Sequence, residues 1–265
     1  MKMLLNKSDI RDFQTDGVVV LRGIFKDWID LLNKGADFHI SNPSKSALIH
    51  KHEGSSGEFI EDFCNWERIK EYKDFVESSP LGSIAGQLMK SKSVQFFHDH
   101  FFYKEASSGV ATPWHQDMPY YCVSGLQTVS FWIPLESRAQ KVSLKCASGS
   151  HNLPKEIRPT SWADNESFYD DNDAFMNMPN LDNGDFDIKQ WATEPGDVIA
   201  FNFKTVHGAK ANMLPGTSKT LSFRLVGDDV VYRKRPGRTS PNFPDIGQEN
   251  GERLREDWFP TIWRK

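Results

Sequence analysis

Beyond residue 94 the chain is written in β-branched and aromatic runs punctuated by turn residues. Residues 94–103, 128–135, 197–203 and 219–226 each read as strands. No helical pattern separates them in the way a βαβ unit requires. The expected core is therefore antiparallel, two sheets closing on each other as a sandwich or barrel. Upstream the texture differs. Residues 8–13 read as a capped helix start, with Ser8 as the cap. Residues 17–23, a valine-rich run between glycines, predict a buried strand. Residues 26–40 and 66–91 space their apolar side chains as amphipathic helices do, the second broken at Pro80-Leu81-Gly82. Residues 41–46 and 54–57 read as loops. The whole predicts a single domain over residues 1–265: a helical part to about 92, a β core over about 93–230 and a tail over 231–265.

Composition narrows the function classes. The 265 residues carry 32 basic and 36 acidic side chains, a net charge of −4, so there is no global basic field for nucleic acid. With 38% apolar residues the chain can bury a core, but no apolar run approaches the ~18–20 residues of a membrane span. The first seven residues turn polar too early for a secretory signal. Three widely spaced cysteines, Cys64, Cys122 and Cys146, suit reduced thiols better than a disulfide framework. The expectation is a soluble cytoplasmic protein with no nucleic-acid partner and no membrane. Nothing in the composition sets an oligomeric state. Residues 161–190 form a separate feature, with eight acidic residues, one lysine and scattered aromatics. A stretch this long between strands reads as a lid or a solvated excursion. As a lid, its charge would favour a cationic or polar substrate.

The chemistry-bearing segment is Thr112-Pro113-Trp114-His115-Gln116-Asp117-Met118-Pro119-Tyr120. A His-x-Asp pair on extended backbone presents both side chains on one face, because successive residues alternate sides. An imidazole and a carboxylate there can share one metal. A second histidine would complete a facial triad that leaves coordination positions open on iron. His207, just beyond the 197–203 strand and followed by Gly208, is the candidate. An alternative pair, His98 and His100, also alternates onto one face and would suit a cupin-type site.

Trp114-His115-Gln116-Asp117, the strand 128–135, Gly149-Ser150-His151, Glu194-Pro195-Gly196-Asp197 and His207-Gly208-Ala209 occur in an order that resembles the phytanoyl-CoA dioxygenase family. The likeness extends over about residues 9–245. It implies a double-stranded β-helix, or jelly-roll, mainly β with flanking helices. It also implies Fe(II), 2-oxoglutarate and O2, with His115, Asp117 and His207 as iron ligands and hydroxylation of a small molecule with release of succinate and CO2. Halogenating relatives lack the carboxylate that Asp117 supplies, which makes a hydroxylase the expectation.

One position departs from the family pattern. The arginine usually found eleven residues after the distal histidine, where it holds the far carboxylate of 2-oxoglutarate, is Ser218 here. Arg224 shares that face by period two and is the expected replacement, unless it forms a core ion pair with Asp228 or Asp229. Lys219 has the opposite parity and should face away. Trp132 and Lys104 are the other cosubstrate candidates. His151 is expected at a turn or rim. The basic run 233–238 reads as a solvated loop beside Trp258 and Trp263, and a nucleic-acid substrate as its lesser alternative. The missing arginine also admits a degenerate jelly-roll that binds a small molecule or partner without turnover.

Overall fold

The computed structural model describes residues 4–50, 57–106, 111–161, 166–169, 173–210 and 216–265. Two antiparallel sheets face each other. The larger contains β1 (Val18–Leu21), β2 (Leu48–His50), β3 (Phe59–Phe63), β4 (Ser93–Lys104), β7 (Thr128–Pro134), β12 (Val198–Phe201) and β14 (Ser218–Val226), in the order β1-β12-β7-β14-β4-β3-β2. A last strand, β16 (Thr261–Arg264), pairs with β4 off that path. The smaller sheet runs β11 (Ile188–Gln190), β8 (Lys145–Ala147), β13 (His207–Ala209), β5 (Thr112–His115). Two short ladders complete it: β6 (Val123–Ser124) with β15 (Val231–Tyr232), and β9 (Glu156–Ile157) with β10 (Phe175–Met176). This is the expected jelly-roll, and none of the described helices is long and apolar enough to cross a membrane.

The period-two rule assigns the two faces of the large sheet. From β14, Leu221, Phe223 and Leu225 join Val129, Phe131 and Ile133 of β7 in the main apolar cluster. Against them pack α2 (Ile29–Ser41), α3 (Lys70–Ser78) and α4 (Leu81–Met89), with Phe75 4.9 Å from Phe223. On the opposite face Ser218, Thr220, Ser222 and Arg224 look into a cavity between the sheets. The β14 side chains thus divide cleanly: apolar towards the helices, polar towards the cavity.

Two expectations are corrected at the N-terminal end. Helix α1 (Lys7–Asp16) is capped by Asn6, whose N–H donates to the Asp9 carboxylate at 2.8 Å, and Ser8 lies inside the helix. The part up to residue 92 is not only helical, since β2 and β3 extend the large sheet beyond β4. Strand β3 was hidden because Glu61 and Asp62 interrupt its apolar pattern. Both are buried, and each is matched by partners distant in sequence. Glu61 meets His50 at 2.9 Å and His100 at 3.2 Å, while Asp62 meets His39 at 2.9 Å and the Ser44 hydroxyl at 2.6 Å.

The tail is structural as well. Trp263 of β16 lies over Gly82 and Gly86 of α4, so a methyl group at Gly86 would run into the indole ring. Gly86→Ala should therefore cost about 1–3 kcal/mol by overpacking, despite alanine's better helix propensity. A urea midpoint at or above that of the parent protein would refute this packing account.

Candidate metal centre

His115 ends β5 and His207 begins β13, and the ladder places them directly opposite each other. Their rings lie 4.2 Å apart, centre to centre. Asp117 follows two residues after His115, at the entrance of the 3-10 turn Met118–Tyr120. That turn is clamped from several sides. The Gln116 side chain donates to the Lys204 carbonyl at 2.6 Å and accepts from the Ile157 N–H at 2.8 Å, and the Met118 N–H donates to the Phe203 carbonyl at 2.9 Å. Asp117 Oδ1 thereby stands 3.6 Å from His115 Nε2 and 3.7 Å from His207 Nε2. One ligand atom from each residue lies within 4.8 Å of the others.

Protonation is set by the backbone. His115 Nδ1 is 2.9 Å from the Pro113 carbonyl and His207 Nδ1 is 2.9 Å from the Thr205 carbonyl. A carbonyl only accepts, so each Nδ1 carries a hydrogen and each Nε2 is the nitrogen turned towards Asp117. Burial pushes His207 down to about 3, helped by neighbouring His115 and opposed by Asp117. The imidazole is therefore neutral near pH 7, as a ligand must be. Burial alone would raise the Asp117 carboxyl, but Arg224, His115 and His207 outweigh it and hold it well below the usual carboxylate range. Two imidazoles and one carboxylate, open to a cavity of about 400 Å³, are a donor set that fits Fe(II) with positions to spare.

Behind the triad, Asp117 Oδ2 accepts from Ser130 Oγ at 3.0 Å and from Arg224 Nε at 3.3 Å. Arg224 is thus an ion-pair partner, as one reading allowed, but of Asp117. Asp228 instead caps Lys92 and Ser93, and Asp229 caps Leu126 and Gln127. The guanidinium also lies 5.8 Å from the Tyr121 ring centre, and its buried Nη1 has no hydrogen-bond partner.

Lys104 and Trp132 both line the cavity. Lys219 points away and meets Asp37 at 3.0 Å. His98 and His100 do not converge with the triad. His98 Nδ1 contacts the Asp99 carbonyl, while His100 lines the cavity and meets Glu61. His151 sits in the 3-10 turn Ser150–Asn152 against Gly17. Part of 161–190, including Trp162, lies outside the described residues. Of the rest, Ser161 and Phe168 form cavity wall, whereas Glu166, Asp173, Asp182, Asp185 and Asp187 are exposed and line none of it. The acidic residues of that stretch that are described therefore carry no argument for a cationic substrate, and Asp164, Asp170 and Asp171 lie outside the described residues.

The basic run is also corrected. Arg235 is buried, not solvated, and its guanidinium donates to the carbonyls of Tyr121 at 2.7 Å, Met118 at 2.6 Å and Val123 at 3.3 Å. It pairs with Glu156 at 2.6 Å. It holds in place the segment that follows Asp117. Its partners lie 79 to 117 residues upstream, so no local pattern distinguished it. Ser130, Tyr121, Glu61 and Arg138 likewise escaped sequence reading. For Ser130 and Arg138, strand parity and the position after β7 were the only available signals.

The Glu61 group bears on pH stability. Burial pushes His100 down to about 4 against an ordinary 6.5, although Glu61 opposes this. Between those values the unfolded chain binds the extra proton, so stability falls as pH drops from about 6.5 towards 4. Glu61, which burial raises but His100 and His50 bring down to about 2, extends the loss below about 4.5. The urea midpoint should fall steadily from pH 7 to pH 4; a midpoint flat over that range would contradict it.

Fold and site together define a jelly-roll with a His-x-Asp…His cluster at the mouth of its smaller sheet. The sequence profile of the phytanoyl-CoA dioxygenase family matches residues 13–219, and the chain belongs to that family, whose cofactors are iron and 2-oxoglutarate with O2 as oxidant. Among solved structures, the carbocyclase SnoK from nogalamycin biosynthesis is similar at a TM-score of 0.75 and 18% identity, with 98% of this chain and 97% of that one covered. The epimerase SnoN, in complex with Fe3+, alpha ketoglutarate and nogalamycin RO, gives 0.75 and 16% over 97% and 98%. EctD from S. alaskensis, with 2-oxoglutarate and 5-hydroxyectoine, gives 0.65 and 19% over 85% and 77%. No curated protein matches the chain significantly in sequence.

Proposed function

We propose that the protein is an Fe(II)- and 2-oxoglutarate-dependent dioxygenase that hydroxylates a small molecule, with His115, Asp117 and His207 holding the iron. The observation that carries this is the pair of backbone-locked imidazoles turned onto one carboxylate oxygen. When bound, the iron and its cosubstrate supply the oxidising power that breaks a substrate C–H bond. The chain's own work is to orient and to exclude water. Ser130 and Arg224 occupy Asp117 Oδ2 and leave Oδ1 facing inward. Phe63, Phe102, Trp132, Leu144, Phe168 and Phe201 wall the cavity, whose size suits a drug-sized metabolite.

Anaerobic loading with Fe(II) and 2-oxoglutarate should give a visible charge-transfer band, followed on exposure to O2 by succinate release in a metabolite screen. A product richer by one oxygen supports hydroxylation. An isomeric product, or one lighter by two hydrogens, would move the reading towards the epimerase or carbocyclase chemistry named for the SnoN and SnoK structures. Ser218 favours a second reading, a jelly-roll that binds without turnover, and absence of any 2-oxoglutarate binding by the Fe(II)-loaded protein would leave that one ahead. Phe168, 5.3 Å from Tyr120, lines the cavity in which the substrate would sit. Phe168→Ala should raise KM severalfold with a smaller change in kcat, and unchanged kinetics would remove it from the binding wall.

A further inference from the structure

We propose that the far carboxylate of 2-oxoglutarate is gripped by Lys104 and Arg138, at the corner of the cavity where Ser218 stands, and not by Arg224. The assignment rests on the cosubstrate reading above. A five-carbon dianion that meets the iron at its 2-oxo end needs a cation at the other end. Arg224 is at the wrong end. Its Nε is 3.3 Å from Asp117 Oδ2, so a carboxylate drawn to it would crowd the ligand carboxylate itself. Same-face steps along β14 lead away from that point through Ser222 and Thr220 to Ser218, all of which line the cavity.

At that far corner two cations arrive from neighbouring segments. Lys104 is the direct partner of Ser218 across the β4–β14 ladder, and a serine there leaves open the space that a longer side chain would fill. Its ammonium lies 4.6 Å from the Phe59 ring centre. Arg138 comes from the segment after β7. Its Nη2 is 3.4 Å from Thr220 Oγ1, 3.4 Å from the Lys219 carbonyl and 3.1 Å from Glu136. Its Nε is buried without a hydrogen-bond partner, and both side chains line the cavity. A carboxylate in this corner would meet an ammonium, a guanidinium edge with a donor to spare and the hydroxyls of Ser218 and Thr220. Sequence parity placed Lys104 on the right face, but the register that sets it against Ser218 becomes visible only in the fold.

The pair also predicts a pH signature. Burial brings the Lys104 ammonium down to about 8, with Arg138 acting in the same direction and Glu61 opposing. The groups around it are Phe59 and Glu61 from β3, Ser218 from β14 and Arg138. An arginine anchor would keep its charge at pH 9, whereas Lys104 would lose it.

The test titrates the visible band of the anaerobic Fe(II)-loaded protein with 2-oxoglutarate and, separately, with 2-oxopentanoate, which carries a methyl group in place of the far carboxylate. The parent protein should prefer 2-oxoglutarate by at least about tenfold, the usual weight of one charge-assisted bond. Lys104→Met and Arg138→Met should each erase about tenfold or more of that preference, with 2-oxopentanoate binding and iron stoichiometry unchanged. Raising the pH from 7 to 9 should cut the preference about tenfold in the parent and leave it constant in Lys104→Arg. If both methionine variants keep the full preference, the anchor lies elsewhere and the proposal is overturned while the cosubstrate reading stands. If the iron-loaded parent binds neither 2-oxo acid, both fall together, and that outcome is distinct from the first.

Discussion

Replacing Arg235 by methionine should destabilise the protein by about 3–5 kcal/mol, the range for removing one partner of a buried ion pair. The loss has two sources. Glu156 would keep only Arg233, at 3.0 Å on the more exposed side. The carbonyls of Met118, Tyr121 and Val123 would lose the guanidinium that now satisfies them. Because these carbonyls belong to the segment leaving Asp117, the iron affinity of the folded variant should fall as well. Urea unfolding by circular dichroism measures the first effect and anaerobic Fe(II) titration the second. A change below about 1 kcal/mol would mean that the interaction network is replaceable by water.

The second large effect concerns the triad and its support. His207→Ala leaves one imidazole and one carboxylate, and Fe(II) binding should become undetectable at micromolar protein. Arg224→Met keeps all three ligand side chains but frees Asp117 Oδ2 from one of its two donors. Outer contacts of this kind are worth about 10–100-fold in metal affinity, so a loss of that size is expected, with the fold retained. Equal loss in the two variants would show that Arg224 supports the fold rather than the ligand's orientation. Full retention of iron by His207→Ala would remove the proposed triad altogether.

Much of this architecture was legible in the sequence because period two survives wherever a strand has one apolar neighbour. β7, β12 and β14 alternate between the helix-covered cluster and the cavity, and β4 does so from Phe101 to Lys104, beyond a register shift that reverses the parity set by Val94 and Phe96. His115 and Asp117 were legible from their His-x-Asp spacing, although only His115 lies on extended backbone: Asp117 follows β5 in a helical conformation at the entrance of the 3-10 turn. What stayed hidden depends on partners remote along the chain. β3 carries Glu61 and Asp62 inward because His50, His100, His39 and Ser44 come to meet them. Arg235 sits in a run that reads as solvent-facing. Arg224 was placed on the correct face, yet parity gives only the side of a sheet and not the distance along it. That distance is what separates the proposed iron end of the cavity from the corner of Lys104.

Strands β2 and β3, hung on the outer edge of the large sheet, contribute Leu48, His50, Glu61 and Phe63 to the cavity wall, whereas 115 and 207 sit on the opposite sheet. Variation on that hem would reshape the guest compartment while the three proposed ligand atoms keep their mutual spacing. Under the proposed function, such a layout would let one oxidising engine be refitted for new metabolites by tailoring a border, without rebuilding the hearth.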